Sequence, residues 1–236
     1  AVTEEVYNRY AGEAYFCRAC KYAELIFFYG DVPYQEETIT ISEALQRGRR
    51  PKAEVIPLVY ADFDKAIAGL PESYGKDENI HPTKGAALAM KARFALYMGD
   101  YEIAAQAAKA CMDLKLYSLE PDYAKLFKQS TKLNDEKVFV IPRSIENEVM
   151  LDSWIVKNGL PRNAGGYGSY NPSWDLLASY LCTDGLPIDE SPLFDPRKPF
   201  KNRDPRCTMT IVEFNTEHCG FECDPSPAAK TVMNYT

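Results

Sequence analysis

The sequence predicts a mainly α-helical protein, built of helical hairpins and carrying an irregular, loop-rich face. Apolar residues recur at three- and four-residue spacing over roughly the first half of the chain. Two alanine-rich segments follow one another with only Gly99-Asp100 between them. Beyond Leu119 glycine, proline and aspartate interrupt the pattern every few residues, which leaves little room for long elements.

The first element runs from Thr3 to Tyr29, with Val6, Tyr10, Ala14, Cys17, Leu25 and Phe28 as its expected apolar stripe. Gly30-Asp31 and Pro33 end it, because glycine tolerates a left-handed cap and proline cannot continue the ladder. Val32 to Arg50 reads as an irregular excursion with a short extended piece at Thr38–Ile41. Pro51 opens a second helix whose core face is Val55, Val59, Phe63, Ala66, Ile67 and Leu70, and Leu70-Pro71 stops it. Thr83 to Met98 and Tyr101 to Leu114 form the alanine-rich pair. Small residues on facing sides let two helix backbones approach closely, and the spacing Ala-x-x-Phe-Ala-Leu-Tyr-x-Gly-Asp-Tyr-x-x-Ala resembles a tetratricopeptide helix–turn–helix. One such unit cannot bury its own face, so the two preceding helices are its expected neighbours. The whole would be a right-handed scaffold of tetratricopeptide-like hairpins.

After that come a helical turn at Tyr123–Phe127, a β-like run at Lys137–Pro142, a glycine- and tyrosine-rich loop around Gly165–Tyr170, a short helix Trp174–Tyr180 capped by Ser173, and a strand at Thr208–Phe214. Residues 1–119 are thus expected to be scaffold and 120–236 a loop-rich segment packed on it in one domain.

Composition narrows the function. The chain has 236 residues, 46% hydrophobic and 26% charged, with net charge −7 and no basic cluster, which argues against a phosphate-tracking nucleic-acid binder. No apolar run of spanning length occurs. The two histidines, His81 and His218, lie far apart, and no nucleophile-elbow, zincin or phosphate-loop motif is present. Asp184, Asp189 and Glu190 sit among turns, where aspartate commonly closes the chain, so they are not read as a glycosidase pair. The expectation is a non-enzymatic protein without cofactor or metal. Seven cysteines cannot all pair within the chain. Cys17 and Cys20 are read as small buried hydrophobes, and Cys219 with Cys223 as a loop disulfide, with a metal site or free thiols as alternatives.

Binding chemistry is better represented. Trp154, Tyr167, Tyr170 and Trp174 fall in one loop-rich window beside Arg162, Asn163 and Asn171. Sugars expose apolar C–H faces that stack on rings and hydroxyls that bond to amides and guanidinium groups. Some of the rings, Trp174 above all since it opens a helix, are expected to plug the loop onto the scaffold instead.

At these residues the chain resembles the SusD/RagB family. The helix exit Tyr29-Gly30-Asp31-Val32-Pro33, the segment from Arg50 through Asp62-Phe63-Asp64-Lys65-Ala66 to Leu70-Pro71, and Thr83–Tyr101 resemble its helical part. Tyr117-Ser118-Leu119, Leu126-Phe127, Glu136–Phe139, Gly165–Ser169, Asn171-Pro172, Asp184-Gly185-Leu186-Pro187-Ile188 and Asn202-Arg203-Asp204-Pro205-Arg206 follow in the family's order. The resemblance implies a lipid-anchored protein on the outer face of the outer membrane. It would capture oligosaccharides or polysaccharides, or peptides as in some branches, and pass them to a SusC-like TonB-dependent transporter. A tetratricopeptide adaptor that binds only protein is the competing reading. Asp184, Gly185, Arg203, Asp204, Pro205 and Arg206 are expected to hold the fold together, not to touch ligand. Against the family pattern the sequence starts inside the first conserved helix and stops soon after the RDPR motif. The anchor and parts of the ligand site and transporter contact are therefore expected outside it.

Overall fold

The computed structural model describes residues 2–74, 80–131, 134–141, 143, 148, 153–160, 165–218 and 220–223. The chain forms two compact units, one of 1–121 with 133–141 and one of 122–132 with 142–236.

The first unit is helical. Helix α1, Glu4–Tyr29, starts where the Thr3 hydroxyl accepts the Val6 amide and where Glu4 and Glu5 meet the positive helix end, and Gly30 at φ 69° closes it. Its buried stripe is Gly12, Phe16, Ala19, Ala23 and Ile26. This corrects the expected stripe: Val6, Tyr10, Leu25 and Phe28 are exposed, as are Ala14 and Cys17. Apolar residues surround this helix, so periodicity alone could not choose the face. The choice is made by glycine and alanine, which admit the neighbouring helix α3, Lys52–Gly69, at backbone distance. A Cβ on Gly69 would stand 2.5 Å from the Asn8 carbonyl oxygen, and one on Gly12 3.1 Å from the Gly69 carbonyl carbon. On α3 Val55, Val59, Phe63 and Ala66 are buried as expected, each large side chain contributing about 1.5–3 kcal/mol.

Asp62, on the same helix and 1% exposed, is fully paired. Arg18 of α1 donates from Nε to Oδ2 at 2.6 Å and from Nη2 to Oδ1 at 2.7 Å, and its Nη1 reaches the Glu36 carbonyl at 3.1 Å. One guanidinium thus joins both helices to the excursion that links them. That excursion holds no extended piece at Thr38–Ile41. Thr40 instead caps a short helix α2, Ile41–Gln46, in a reciprocal box with Glu43, and a Val32–Arg50 bridge closes the loop.

Helices α4, Lys84–Met98, and α5, Tyr101–Asp113, form the expected hairpin, with Thr83 as cap and Gly99 left-handed at φ 84° between them. Ala86, Ala87, Ala95, Ala104 and Ala107 are buried, and α3 packs on α4. Residues 134–141 return to this unit without forming the expected strand: Phe139 meets Phe16 edge-on, and the Asp135 carbonyl accepts the Ser118 amide.

The second unit has short elements. Lys125–Phe127 and Gln129–Thr131 are 3-10 turns, α6 spans Ser153–Gly159, and α7 spans Trp174–Ser179 with the Ser173 hydroxyl accepting the Leu176 amide. The expected strand at Thr208–Phe214 is replaced by helix α8, Arg206–Thr210, because Cys207 and Ile211 are four apart and both join a small core with Leu177 and Phe200. The only ladder among the described residues pairs β1, Glu217–His218, with β2, Phe221–Glu222. No described helix is long and apolar enough to cross a membrane.

Candidate ligand-binding site

The glycine-rich loop after α6 folds back over the end of that helix. The last carbonyls of a helix have no partner within it. Here the Tyr167 amide bonds the Lys157 carbonyl at 2.7 Å, Gly168 bonds Leu160 at 2.8 Å, and Ser169 and Tyr170 share Asn158 at 2.9 and 3.0 Å. Gly166 has no room for a side chain because a Cβ would overlap the Leu160 carbonyl, and Gly165 lies at φ 82°. Asn171 locks the return by donating Nδ2 to the Gly168 carbonyl at 2.7 Å.

This capping loop brings Tyr167 against Trp154 of α6, ring centroids 5.2 Å apart and planes 27° apart. Both rings remain substantially open to solvent, Trp154 at 59% and Tyr167 at 42% exposure, and Tyr170 on the same loop is exposed as well. The pair is an aromatic platform whose backbone is fixed by at least four hydrogen bonds. Arg162 and Asn163 lie outside the described residues.

Trp174 belongs to a different feature. Expected to plug its loop, it is 68% exposed and forms one wall of an apolar cleft of about 260 Å³. Phe200 and Phe214, which meet edge-on at 5.0 Å, form part of the opposite wall.

The aspartate and arginine motifs lie in the same unit and are engaged with the chain itself. Asp184 accepts the Ser191 hydroxyl at 2.7 Å and the Leu186 amide at 3.1 Å, and these bonds hold its carboxyl below the usual range. Gly185 turns the chain at φ 83°. Arg203 is 5% exposed and donates to the carbonyls of Pro199 at 2.8 Å, Leu177 at 2.5 Å and Tyr180 at 2.6 Å, with Ala178 at 3.4 Å. Asp204 takes Arg206 in a two-pronged pair at 3.0 and 2.5 Å and also accepts its amide, which holds the Asp204 carboxyl down at about 2. Pro205 is the residue before α8. Cys219, and with it the expected pairing to Cys223, lies outside the described residues. Cys182 and Cys207 are buried, Cys20 is half-buried and Cys17 is exposed. Among the described residues no group of three or more histidine, cysteine, aspartate or glutamate side chains is placed to hold a metal.

Two further hollows, both in the helical unit, were not anticipated. An apolar one of about 720 Å³ runs between α1 and α4 and includes Phe27, Phe28 and Tyr97. Its signal was the adjacent Phe27-Phe28-Tyr29, since consecutive aromatics on a helix cannot all face one core. A smaller one of about 290 Å³, of mixed polar and apolar lining, is formed by Tyr74, His81, Tyr117 and residues of 134–140 among others. It assembles three separate segments, and no local pattern marks it.

A family model for SusD-like proteins, described as starch-binding and associating with the outer membrane, matches residues 1–96. A SusD-like protein of Formosa agariphila is 34% identical over 131 residues, which are 52% of this chain and 25% of that protein. A second from the same organism is 22% identical over 139 residues, 59% of this chain and 26% of that protein. Among solved structures, a SusD-like carbohydrate-binding protein of Bacteroides fragilis superposes with a TM-score of 0.86 at 29% identity, covering 96% of this chain and 44% of that one. Another SusD-like protein of that organism gives 0.78 at 26% identity, over 92% and 45%. The chain therefore spans about a quarter of the curated relatives it matches and under half of these solved ones. The ordered sequence motifs, the family model and the likeness over nearly the whole chain agree: this chain is similar to the SusD/RagB family and shares its mainly α, tetratricopeptide-like fold.

Proposed function

We propose that this protein is a non-enzymatic glycan-binding protein of the cell surface. It is held at the outer membrane by a lipid anchor and hands oligosaccharides to a SusC-like TonB-dependent transporter. The observation that carries the reading is the solvent-facing Trp154–Tyr167 pair, stacked on a loop whose backbone bonds are satisfied by the end of α6. A ring pair held in place before binding loses little freedom when a sugar face settles on it. Tyr170, on the same loop, would supply a hydroxyl, and Arg162, Asn163 and Trp174 are further candidate contacts. The carbohydrate-binding relative of Bacteroides fragilis supports the ligand class.

Affinity gels cast with soluble polysaccharides test this. Retardation of the chain is expected, and Trp154→Ala should weaken it by about fivefold to tenfold, since one stacking ring contributes on the order of 1 kcal/mol. Tyr167→Ala should follow closely, with circular dichroism unchanged in both. Retardation by no polysaccharide, together with calorimetric binding of peptides, would replace the glycan reading by the peptide-binding one. Co-purification of the transporter with the tagged protein from outer membranes tests the delivery step.

A further inference from the structure

We propose that the helical unit carries a second carbohydrate site, separate from the aromatic platform: the cleft of about 290 Å³ with mixed polar and apolar lining, sized for a single neutral sugar ring. The inference rests on the glycan reading and adds to it an open cleft for one ring. The cleft lies wholly within the helical unit, between the segment leading into α4, the chain after α5 and residues 134–140. Its volume is at the lower end for small-molecule sites, too small for a chain of sugars and ample for one ring.

The lining suits such a ring in three respects. Aromatic surface comes from Tyr74 and His81, whose rings lie 5.5 Å apart with planes inclined at 40°, and from Tyr117. These walls are fixed: the Tyr74 hydroxyl donates to the Pro82 carbonyl at 3.0 Å, and the Tyr117 hydroxyl pairs with Thr83 at 3.3 Å. Polar side chains share the lining, Ser73, Asp135 and Lys137 among them, so both donors and acceptors are on offer. Asn134 adds an unsatisfied acceptor. Its Nδ2 is taken by Glu120 at 3.2 Å, while Oδ1 is buried without a hydrogen-bond partner. An orphaned acceptor is unfavourable, and a small turn of the Asn134 amide toward the cleft would let a ligand hydroxyl relieve that cost. Carboxylate and ammonium groups both line the cleft, so it favours neither an acidic nor a basic sugar strongly. A bare apolar ligand would strand these polar groups, which separates this cleft in chemistry from the apolar hollow beside Phe27.

Saturation-transfer NMR on the whole chain tests the site, with D-glucose, D-galactose, D-mannose, L-fucose and N-acetyl-D-glucosamine offered singly at millimolar concentration. At least one should give transfer to its ring protons. Ser73→Trp places a large side chain at the exposed rim of the cleft and, in a Trp154→Ala background that removes the platform's own contribution, should reduce that signal by roughly an order of magnitude. No transfer from any of the five to the wild-type chain overturns the proposal. So does a signal that Ser73→Trp fails to reduce in that background, or one that Trp154→Ala alone abolishes. Polysaccharide retention by the platform is read separately in gels. Its loss with hexose transfer intact strikes the platform reading, and the converse strikes the cleft.

Discussion

The two units hold their chain by opposite means. In the helical unit the long helices satisfy their backbone groups within themselves, and stability comes from faces that fit, with Gly12 against Gly69 and alanines along α4 and α5. In the second unit helices are five to seven residues long, too short to be stable alone. There a side chain does what a ladder does elsewhere: Arg203 gathers carbonyls from Leu177, Tyr180 and Pro199 and fixes the turn-rich chain around a core of four buried residues. The helical unit also contains a buried arginine–carboxylate contact, Arg18 with Asp62, but as a clamp on a scaffold already built. The loop that carries the Trp154–Tyr167 pair is fixed in its own way, by bonds to the carbonyls at the end of α6, so irregular backbone here is pinned at defined points.

The sharpest way to break this comparison is to remove each arginine contact in turn. Arg203→Met leaves three buried carbonyls without donors and should cost about 4 kcal/mol. Hydrogen exchange should rise in the second unit while α1, α3 and α4 keep their protection. Loss of protection spread evenly over both units would show that Arg203 is no local hub. Asp62→Ala should cost less, about 3 kcal/mol, because Arg18 retains 23% side-chain exposure and can recover some hydration. Its effect should concentrate on α1, α3 and the α2 excursion. Urea unfolding followed by exchange mass spectrometry reads both variants, and equal costs would remove the distinction between hub and clamp.

How much of this was legible in the sequence follows the same division. Helices α3, α4 and α5 and the caps Thr83, Gly99 and Ser173 were legible because caps and periodicity are local signals. The α1 boundaries were legible and its face was not, since packing against α3 favoured Gly12, Ala19 and Ala23 over larger residues. The Thr40–Glu43 box was legible in principle, but the β-branched run Thr38–Ile41 masked it. Residues 208–214 look like a strand by composition, whereas burial of Cys207 and Ile211 on one side imposes a helical turn, a tertiary effect that overrides propensity. In the candidate site the residue types of the platform were visible. The stacking of Trp154 on Tyr167 was not, because it depends on loop amides finding the carbonyls at the end of α6. The smaller cleft was invisible for a similar reason, being made by chain distant in sequence.

The mildest contrast between the units is electrostatic, and it carries a sign. Arg206 donates to Asp204 through side chain and amide and holds that carboxyl down at about 2, against about 4 for an aspartate in an unfolded chain. A carboxyl depressed on folding lends stability that is fully present above the unfolded value and disappears as pH falls through the folded one. The second unit should therefore lose a small increment of stability between about pH 4 and pH 2 through this pair. Arg206→Ala should remove that part of the slope and leave stability at neutral pH little changed, since Arg206 is well exposed and exposed pairs contribute little. Denaturant midpoints of the two proteins measured across that range should converge toward the acid end. If they stay parallel, Asp204 holds its turn through the Arg206 amide alone, and the side-chain pair is incidental to how this unit is pinned.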